Sequence, residues 1–324
     1  MRRLVRWLGL ALAALVAFAA VGLALAHREI RARDPELPSD AEVLALAEAP
    51  GGPSGLAAHE TASQPMPRAQ VLDLGQDPDS AQPYVMSHPS FALAWPDGRL
   101  LLVDLGMERE AALAFGRPLE WVGAGPAAFA SGAASALGPA ADRVAGALFT
   151  HLHTDHVEGV LALCAARAGA DLPVFQTAAQ ASLSNYTTRP GRRLLEQSGC
   201  AAPQPLPEGR LAPVPGFPGV GVVDAAGHTP GSQVVLAVLA GSRRVAFTGD
   251  VANHVEGIRR GIRKPALYSL LVVPENEVRL ARVRRWLRHL ESDLGFELVV
   301  AHDQAQLATL ALPGFETLRG PAAR

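Results

Sequence analysis

The longest apolar stretch of the chain runs from Trp7 to Ala26 without a single charge, behind Arg2, Arg3 and Arg6. At about 1.5 Å per residue, a helix of that length reaches about 30 Å, the thickness of a bilayer's hydrocarbon core. It ends in Ala24-Leu25-Ala26, a pattern that signal peptidase cuts. It also exceeds the roughly 7 to 15 apolar residues of a signal-peptide core, which favours an uncleaved anchor. Residues 1–26 are therefore expected to be a transmembrane anchor or a signal peptide. A short basic N-terminus stays inside, so the chain beyond it is expected outside the cytoplasm, periplasmic if the source is bacterial. Arg28, Arg31 and Arg33 on the far side work against that orientation.

From His27 to Gln82 the apolar positions lose their period, and PELPSD, EAPGGPSG and SQPMPR break the chain. Residues 27–82 read as a linker and irregular lead-in, with His27 and His59 as solvated loop residues. From residue 83 the pattern tightens: FALAW, the turn PDG and LLLVD predict two strands in a hairpin. EREAALAF predicts a helix, while Gly123 to Ala140 carries no period that assigns it. VAGALF reads as a buried strand, and Val157 to Ala168 as a helix with Val157, Val160, Leu161 and Cys164 on its apolar face. Residues 151–156 are left as the loop between them. VVLAVL and VAFTGD form a second hairpin across GSRR, and ELVVAHD ends in another strand. The stretch from Glu277 to Leu290 is an ordinary amphipathic covering helix. Residues 83–324 thus carry both strands and helices, and the length allows one large domain or two small ones.

Composition narrows the function. With 324 residues, 49% of them hydrophobic and 19% charged, the chain supports a sizeable core. The net charge is −2 and Lys264 is the single lysine, so no nucleic-acid partner is indicated. Cys164 and Cys200 are too few for a disulfide scaffold and lack metal-ligand spacing. Cys164 reads as a small buried hydrophobe, and a single bridge stays open if the chain is exported.

The candidate chemistry lies in THLHTDHVEG, which crowds three of the ten histidines into residues 151–156. His151 and His153 are two apart, so in extended chain both imidazoles face one side and grip one cation. Asp155 and His156 begin the following helix and point a carboxylate and an imidazole into the same cavity. His228 in DAAGHTPGSQ, Asp250 at the end of VAFTGD and His302 at the end of ELVVAHD add one donor each from separate strand ends. The seven donors make two sets of ligands. Imidazole and carboxylate without thiolate suit Zn(II), the default, and also Fe(II) or Mn(II). His88 and His289 have no such context; His289 is expected on a solvated helix face.

HxHxDH at 151–156, GHTPG around His228, TGD at 248–250 and AHD at 301–303 resemble, in order, the metal-binding motifs of the metallo-β-lactamase superfamily. The resemblance spans about residues 84–312. It implies an α/β fold, the four-layer αβ/βα sandwich of two mixed sheets flanked by helices, with a dinuclear metal site at one edge. By position, His151, His153 and His228 resemble ligands of the first ion, Asp155, His156 and His302 those of the second, and Asp250 the bridge. Asp104 resembles the family's buried aspartate that supports the metal loop.

The resemblance also implies an activity: a metal-dependent hydrolase in which hydroxide held by two divalent ions attacks a small carbonyl substrate. Asp155 is the catalytic residue that orients the hydroxide and passes its proton. Lactones and esters are favoured over thioesters and β-lactams, since the motif set looks most like acyl-homoserine lactonases. Those enzymes carry a tyrosine three residues after the bridging aspartate, where this chain has Asn253, followed by His254. Asn253, His254 and Tyr186 are the candidate oxyanion or substrate donors. Partners are a small-molecule substrate and, if the first segment stays attached, a membrane. The alternatives are a non-catalytic metal-binding or assembly protein on the same fold, and a single-iron persulfide dioxygenase. His153 argues against the diiron flavoprotein branch, which has glutamate there.

Overall fold

The structure is a computed structural model that describes residues 2–31, 33–48, 50–73, 75, 83–167 and 170–319. Residues 76–82 of the expected lead-in and the expected helix end at Ala168 lie outside the described residues.

Two mixed sheets form among the described residues. The first holds β1 (Gly55–Met66), β2 (Tyr84–Ala94), β3 (Leu100–Leu105), β4 (Ala128–Phe129), β5 (Val144–Leu148), β6 (Leu172–Gln176) and β7 (Ala201–Pro205). Their spatial order is β4-β1-β2-β3-β5-β6-β7, antiparallel from β4 to β3 and parallel from β3 to β7. The second holds β8 (Ala212–Pro213), β9 (Val220–Asp224), β10 (Gln233–Val238), β11 (Arg244–Phe247) and β12 (Phe296–Val299), in the order β12-β11-β10-β9-β8. Both expected hairpins are present, β2 with β3 and β10 with β11.

Strands such as LLLVDL and QVVLAV are buried along their whole length, because each sheet is covered on both faces. Between the sheets, Phe91, Leu101, Val103 and Leu148 meet Val222, Val235, Phe247 and Val299. Outside the first sheet, Leu100, Leu102 and Phe149 pack on Val160, Leu163 and Leu137. Outside the second, Val234 and Leu236 pack on Leu280, Val283 and Leu287 of the helix Glu277–Ser292. These are the four layers of the expected sandwich.

The lead-in differs from expectation. The N-terminal helix runs through Arg31, a second helix covers Asp40–Glu48, and β1 pairs with β2 along its length. GLAAHETASQPM hides its strand because its buried positions are irregular: a register shift lies between Glu60 and Ala62, and Thr61 and Gln64 are buried polar residues. Hydrogen bonds satisfy them, Thr61 donating to His88 O and Gln64 to Gly116 O and Gly125 O. His59 is a half-buried strand residue 2.8 Å from Ser131 O, and His27 is buried 3.0 Å from Leu270 O, so neither is a solvated loop residue.

Two further corrections concern residues 157–200. The expected single helix is two, Thr154–Val157 and Val160–Ala166. Gly159 at the break lies so close to β3 that a Cβ would sit 2.3 Å from Leu105 O. Cys164 is not a free buried thiol: it forms a disulfide with Cys200, tying the second of these helices to the start of β7.

Candidate metal centre

The loop after β5 is held from below by Asp104. This residue adopts the left-handed region, φ 53°, at the end of β3. Its carboxylate accepts the Thr150 amide at 2.7 Å and hydroxyl at 2.8 Å, and meets His156 Nδ1 at 2.9 Å. A strained conformation costing about 1–3 kcal/mol is retained where neighbours over-determine it, as three polar contacts do here. Gly249, φ 50°, lets the loop carrying Asp250 press on the same threonine, where a Cβ would lie 2.7 Å from Thr150 Cβ.

On this base the seven expected donors come together. The facing donor atoms of His151, His153, His228 and Asp250 lie within 4.8 Å of one another. So do those of His156, Asp250 and His302, and of His88, Asp155 and His302. Asp250 divides its oxygens: Oδ2 is 3.4 Å from His228 Nε2 and 3.9 Å from His151 Nε2, while Oδ1 is 3.1 Å from His302 Nε2 and 3.4 Å from His156 Nε2. Asp155 Oδ2 lies 3.4 Å from His302 Nε2 and 3.2 Å from His88 Nδ1.

Second partners fix the ring orientations. His302 Nδ1 meets Ser87 O at 2.7 Å, His151 Nδ1 meets Thr150 Oγ1 at 3.2 Å, and His228 Nδ1 meets Glu275 Oε1 at 2.6 Å. Glu275 in turn accepts Lys264 Nζ at 2.8 Å, and that ammonium also donates to Asp250 O at 2.8 Å. His153, half-buried, has Nδ1 3.3 Å from His228 Nε2 and Nε2 2.9 Å from Thr187 Oγ1.

The donor set fits cations. His151 Nε2 is buried with no hydrogen-bond partner among the described residues, a costly arrangement unless another ligand takes it. Burial and the neighbouring His156 hold His151 well below the ordinary histidine range, and burial with His228 lowers His153 to about 3. Both rings therefore keep free lone pairs at neutral pH. Burial opposes charge on Asp250, but His302 and His151 hold its carboxyl well below the usual range. Burial likewise opposes charge on His156 and His302, yet Asp104 and Asp155 raise the first and Asp250 raises the second. Ionised Asp155 and Asp250 with neutral His151 and His153 thus offer charge and lone pairs to a cation.

The expected donors to substrate fare differently. His254 Nδ1 accepts the amide of Glu256 at 3.1 Å, capping a helix, and its Nε2 lies 3.1 Å from Arg68 Nη1. Those contacts give the ring a structural role. Asn253 accepts Tyr84 Oη through its carbonyl at 2.9 Å, and its buried Oδ1 has no hydrogen-bond partner among the described residues. Tyr186 is exposed and donates to Val272 O at 3.1 Å. His289 is solvated as expected, against Asp40 and Asp293.

Four participants escaped sequence reasoning: His88, Lys264, Glu275 and Tyr268. Burial, then Glu275, Asp250 and Asp155, raise the Tyr268 phenol well above its ordinary range, so it stays protonated beside the carboxylates. A solitary lysine in an arginine-rich chain was the available signal for one of them. The other three carry no local pattern.

A family model described as the metallo-beta-lactamase superfamily matches residues 85–271. Among solved structures, an N-acyl homoserine lactone hydrolase with N-hexanoyl-L-homoserine at its catalytic metal centre is 16% identical, with TM-score 0.57 over 80% of this chain and 96% of that one. The B. thuringiensis protein AiiA, bound to N-decanoyl-L-homoserine, gives 16% identity and TM-score 0.56 over the same shares, 80% and 96%. AidC, described as a dizinc quorum-quenching lactonase, is 12% identical with TM-score 0.51, covering 78% and 90%. At such identities the likeness shows a shared fold. No curated protein matches the chain.

Proposed function

The chain belongs to the metallo-beta-lactamase superfamily, and from that premise we propose that it is a two-metal hydrolase acting on a lactone or ester. The split of Asp250 between two groups of donors carries this reading, since two ions side by side require one carboxylate that faces both. His151, His153 and His228 would hold the first ion and Asp155, His156 and His302 the second, with zinc as the first candidate. A single-iron dioxygenase would leave the second group without a task.

Divalent ions bound there supply Lewis acidity for a carbonyl and make a water acidic enough to deprotonate near neutral pH. The overall step consumes one water and breaks the acyl carbon–oxygen bond, giving a carboxylic acid and an alcohol from an ester and a single hydroxy acid from a lactone. Asp155, buried and held ionised against His156 and His88, accepts and returns the proton. Tyr268, in the turn before Glu275 with its ring 5.5 Å from Lys264 Nζ, is the candidate donor to the oxyanion in place of the tyrosine absent at Asn253. Glu275 and Lys264 hold the His228 ring in orientation.

We place the catalytic domain outside the cytoplasm. The N-terminal helix is long and apolar enough to cross a membrane, and the Cys164–Cys200 disulfide suits an oxidising compartment.

Elemental analysis of the purified protein, then a panel of lactones, esters, thioesters and β-lactams, tests the reading. Two bound divalent ions with lactone or ester turnover are expected. Bound metal with no turnover of any member would refute it.

A further inference from the structure

Residues 3–22 of the N-terminal helix are exposed throughout, whereas Ala26, His27 and Ile30 at its end are buried against the domain. The junction is specific: His27 Nε2 meets Leu270 O at 3.0 Å and Asn276 Nδ2 reaches Ile30 O at 3.5 Å. Beside it the domain exposes four apolar side chains on one turn, Leu267 at 69%, Leu270 at 47%, Leu271 at 56% and Val272 at 58%. A contiguous exposed apolar patch marks a protein or membrane contact. Its continuity with a helix of membrane-spanning length selects the membrane.

A cavity of about 840 Å³ lies between this helix, along Val16 to Glu29, and Tyr186, Arg189 and Leu271 of the domain. The helix side of its wall is apolar apart from Glu29, and Arg189 supplies a positive charge suited to anionic headgroups. Its wall meets the metal centre through two adjacent residues, Tyr186, which lines the cavity, and Thr187, which contacts His153. Half-buried His153 contacts Thr187 at 2.9 Å, the neighbouring Tyr186 donates to Val272 O at 3.1 Å, and Leu270 in that turn holds His27.

We propose that the turn Leu267–Val272 and the N-terminal helix seat the domain on the bilayer, and that the cavity takes the acyl chain of a substrate drawn from the adjacent leaflet. The substrate is then a membrane-partitioned ester or lactone with a long acyl chain. This substrate class rests on the hydrolase reading; the membrane seat does not. Each methylene buried in the cavity strengthens binding about fourfold.

The experiment uses the full chain in phosphatidylcholine–phosphatidylglycerol vesicles. Val272→Cys, labelled with an environment-sensitive fluorophore, is expected to be quenched by brominated lipid and shielded from iodide. Quenching by iodide alone overturns the seat, as does a mature chain beginning after Ala26. The double variant Leu267→Glu with Val272→Glu, neither of which lines the cavity, is expected to turn over a short soluble ester unchanged while its KM for a decanoyl ester in vesicles rises by about tenfold or more. Equal effects on both substrates, or none, overturn the substrate class. Loss of all turnover by the unsubstituted protein with lipid quenching intact refutes the hydrolase reading and supports the seat.

Discussion

The single lysine of the chain donates from Lys264 Nζ to Glu275 Oε1 at 2.8 Å, and the same oxygen meets His228 Nδ1 at 2.6 Å. All three side chains are buried. Burial opposes ionisation of Glu275, but Lys264 and His228 bring its carboxyl down to about 2. Lys264→Met takes the ammonium away from that carboxylate and leaves it hydrogen bonds to His228 and Ser269, so about 3–5 kcal/mol of stability is lost on the pattern of broken buried pairs. Denaturant unfolding measures the loss, and a chelator competition should show metal affinity falling about 10- to 100-fold.

Asp250 faces both donor groups with separate oxygens. Asp250→Asn removes the shared charge, so both ions are expected to leave together, and elemental analysis should find fewer than half the normal metal equivalents. His88→Ala touches only the second group and should spare the first ion.

Tyr268→Phe removes a hydroxyl and little volume. If this phenol serves the oxyanion, kcat falls about 100-fold with metal content and thermal stability unchanged. Steady-state kinetics beside elemental analysis separates this from loss of metal.

The Cys164–Cys200 bridge closes a loop of 36 residues. Closure of that size is worth about 3–4 kcal/mol through the unfolded state. Cys200→Ser, or mild reduction, should lower the unfolding midpoint accordingly, read by calorimetry in oxidising and reducing buffer.

His289, on the helix Glu277–Ser292, meets Asp40 at 2.9 Å and Asp293 at 2.7 Å, and hydrogen bonds to the two carboxylates raise its pKa. A raised folded-state pKa means the contact's contribution is full below the ordinary value of about 6.5 and is lost as pH climbs through the raised one. Amide protection in Asp40–Glu48, taken relative to intrinsic base-catalysed exchange, should therefore fall between about pH 6 and pH 8, and His289→Gln should flatten that change.

Most of the metal centre was legible because its donors sit where apolar strands stop. LFTHLHTDH, VAFTGD and LVVAHD each announce a strand and its terminal ligand within a few residues. β1 was illegible because Thr61 and Gln64 are buried polar residues whose partners, His88 and the Gly116 and Gly125 carbonyls, lie 27 to 61 residues away. The disulfide was open for the same reason: its two cysteines approach only once the helix Val160–Ala166 packs beside β7.

The amino-acid order by itself determined the strand ends, the seven donors they carry and the apolar N-terminal segment, since each depends on side chains within one element. Tertiary structure alone decided that Asp250 faces two groups at once, that His88 joins Asp155 and His302, and that Lys264 and Glu275 stand behind His228. It also set the N-terminal helix against Leu270 beside an exposed apolar turn. Such relations join residues from distant positions, and burial gives them their strength: away from water, a charge or lone pair must find its partner in whatever the fold brings alongside.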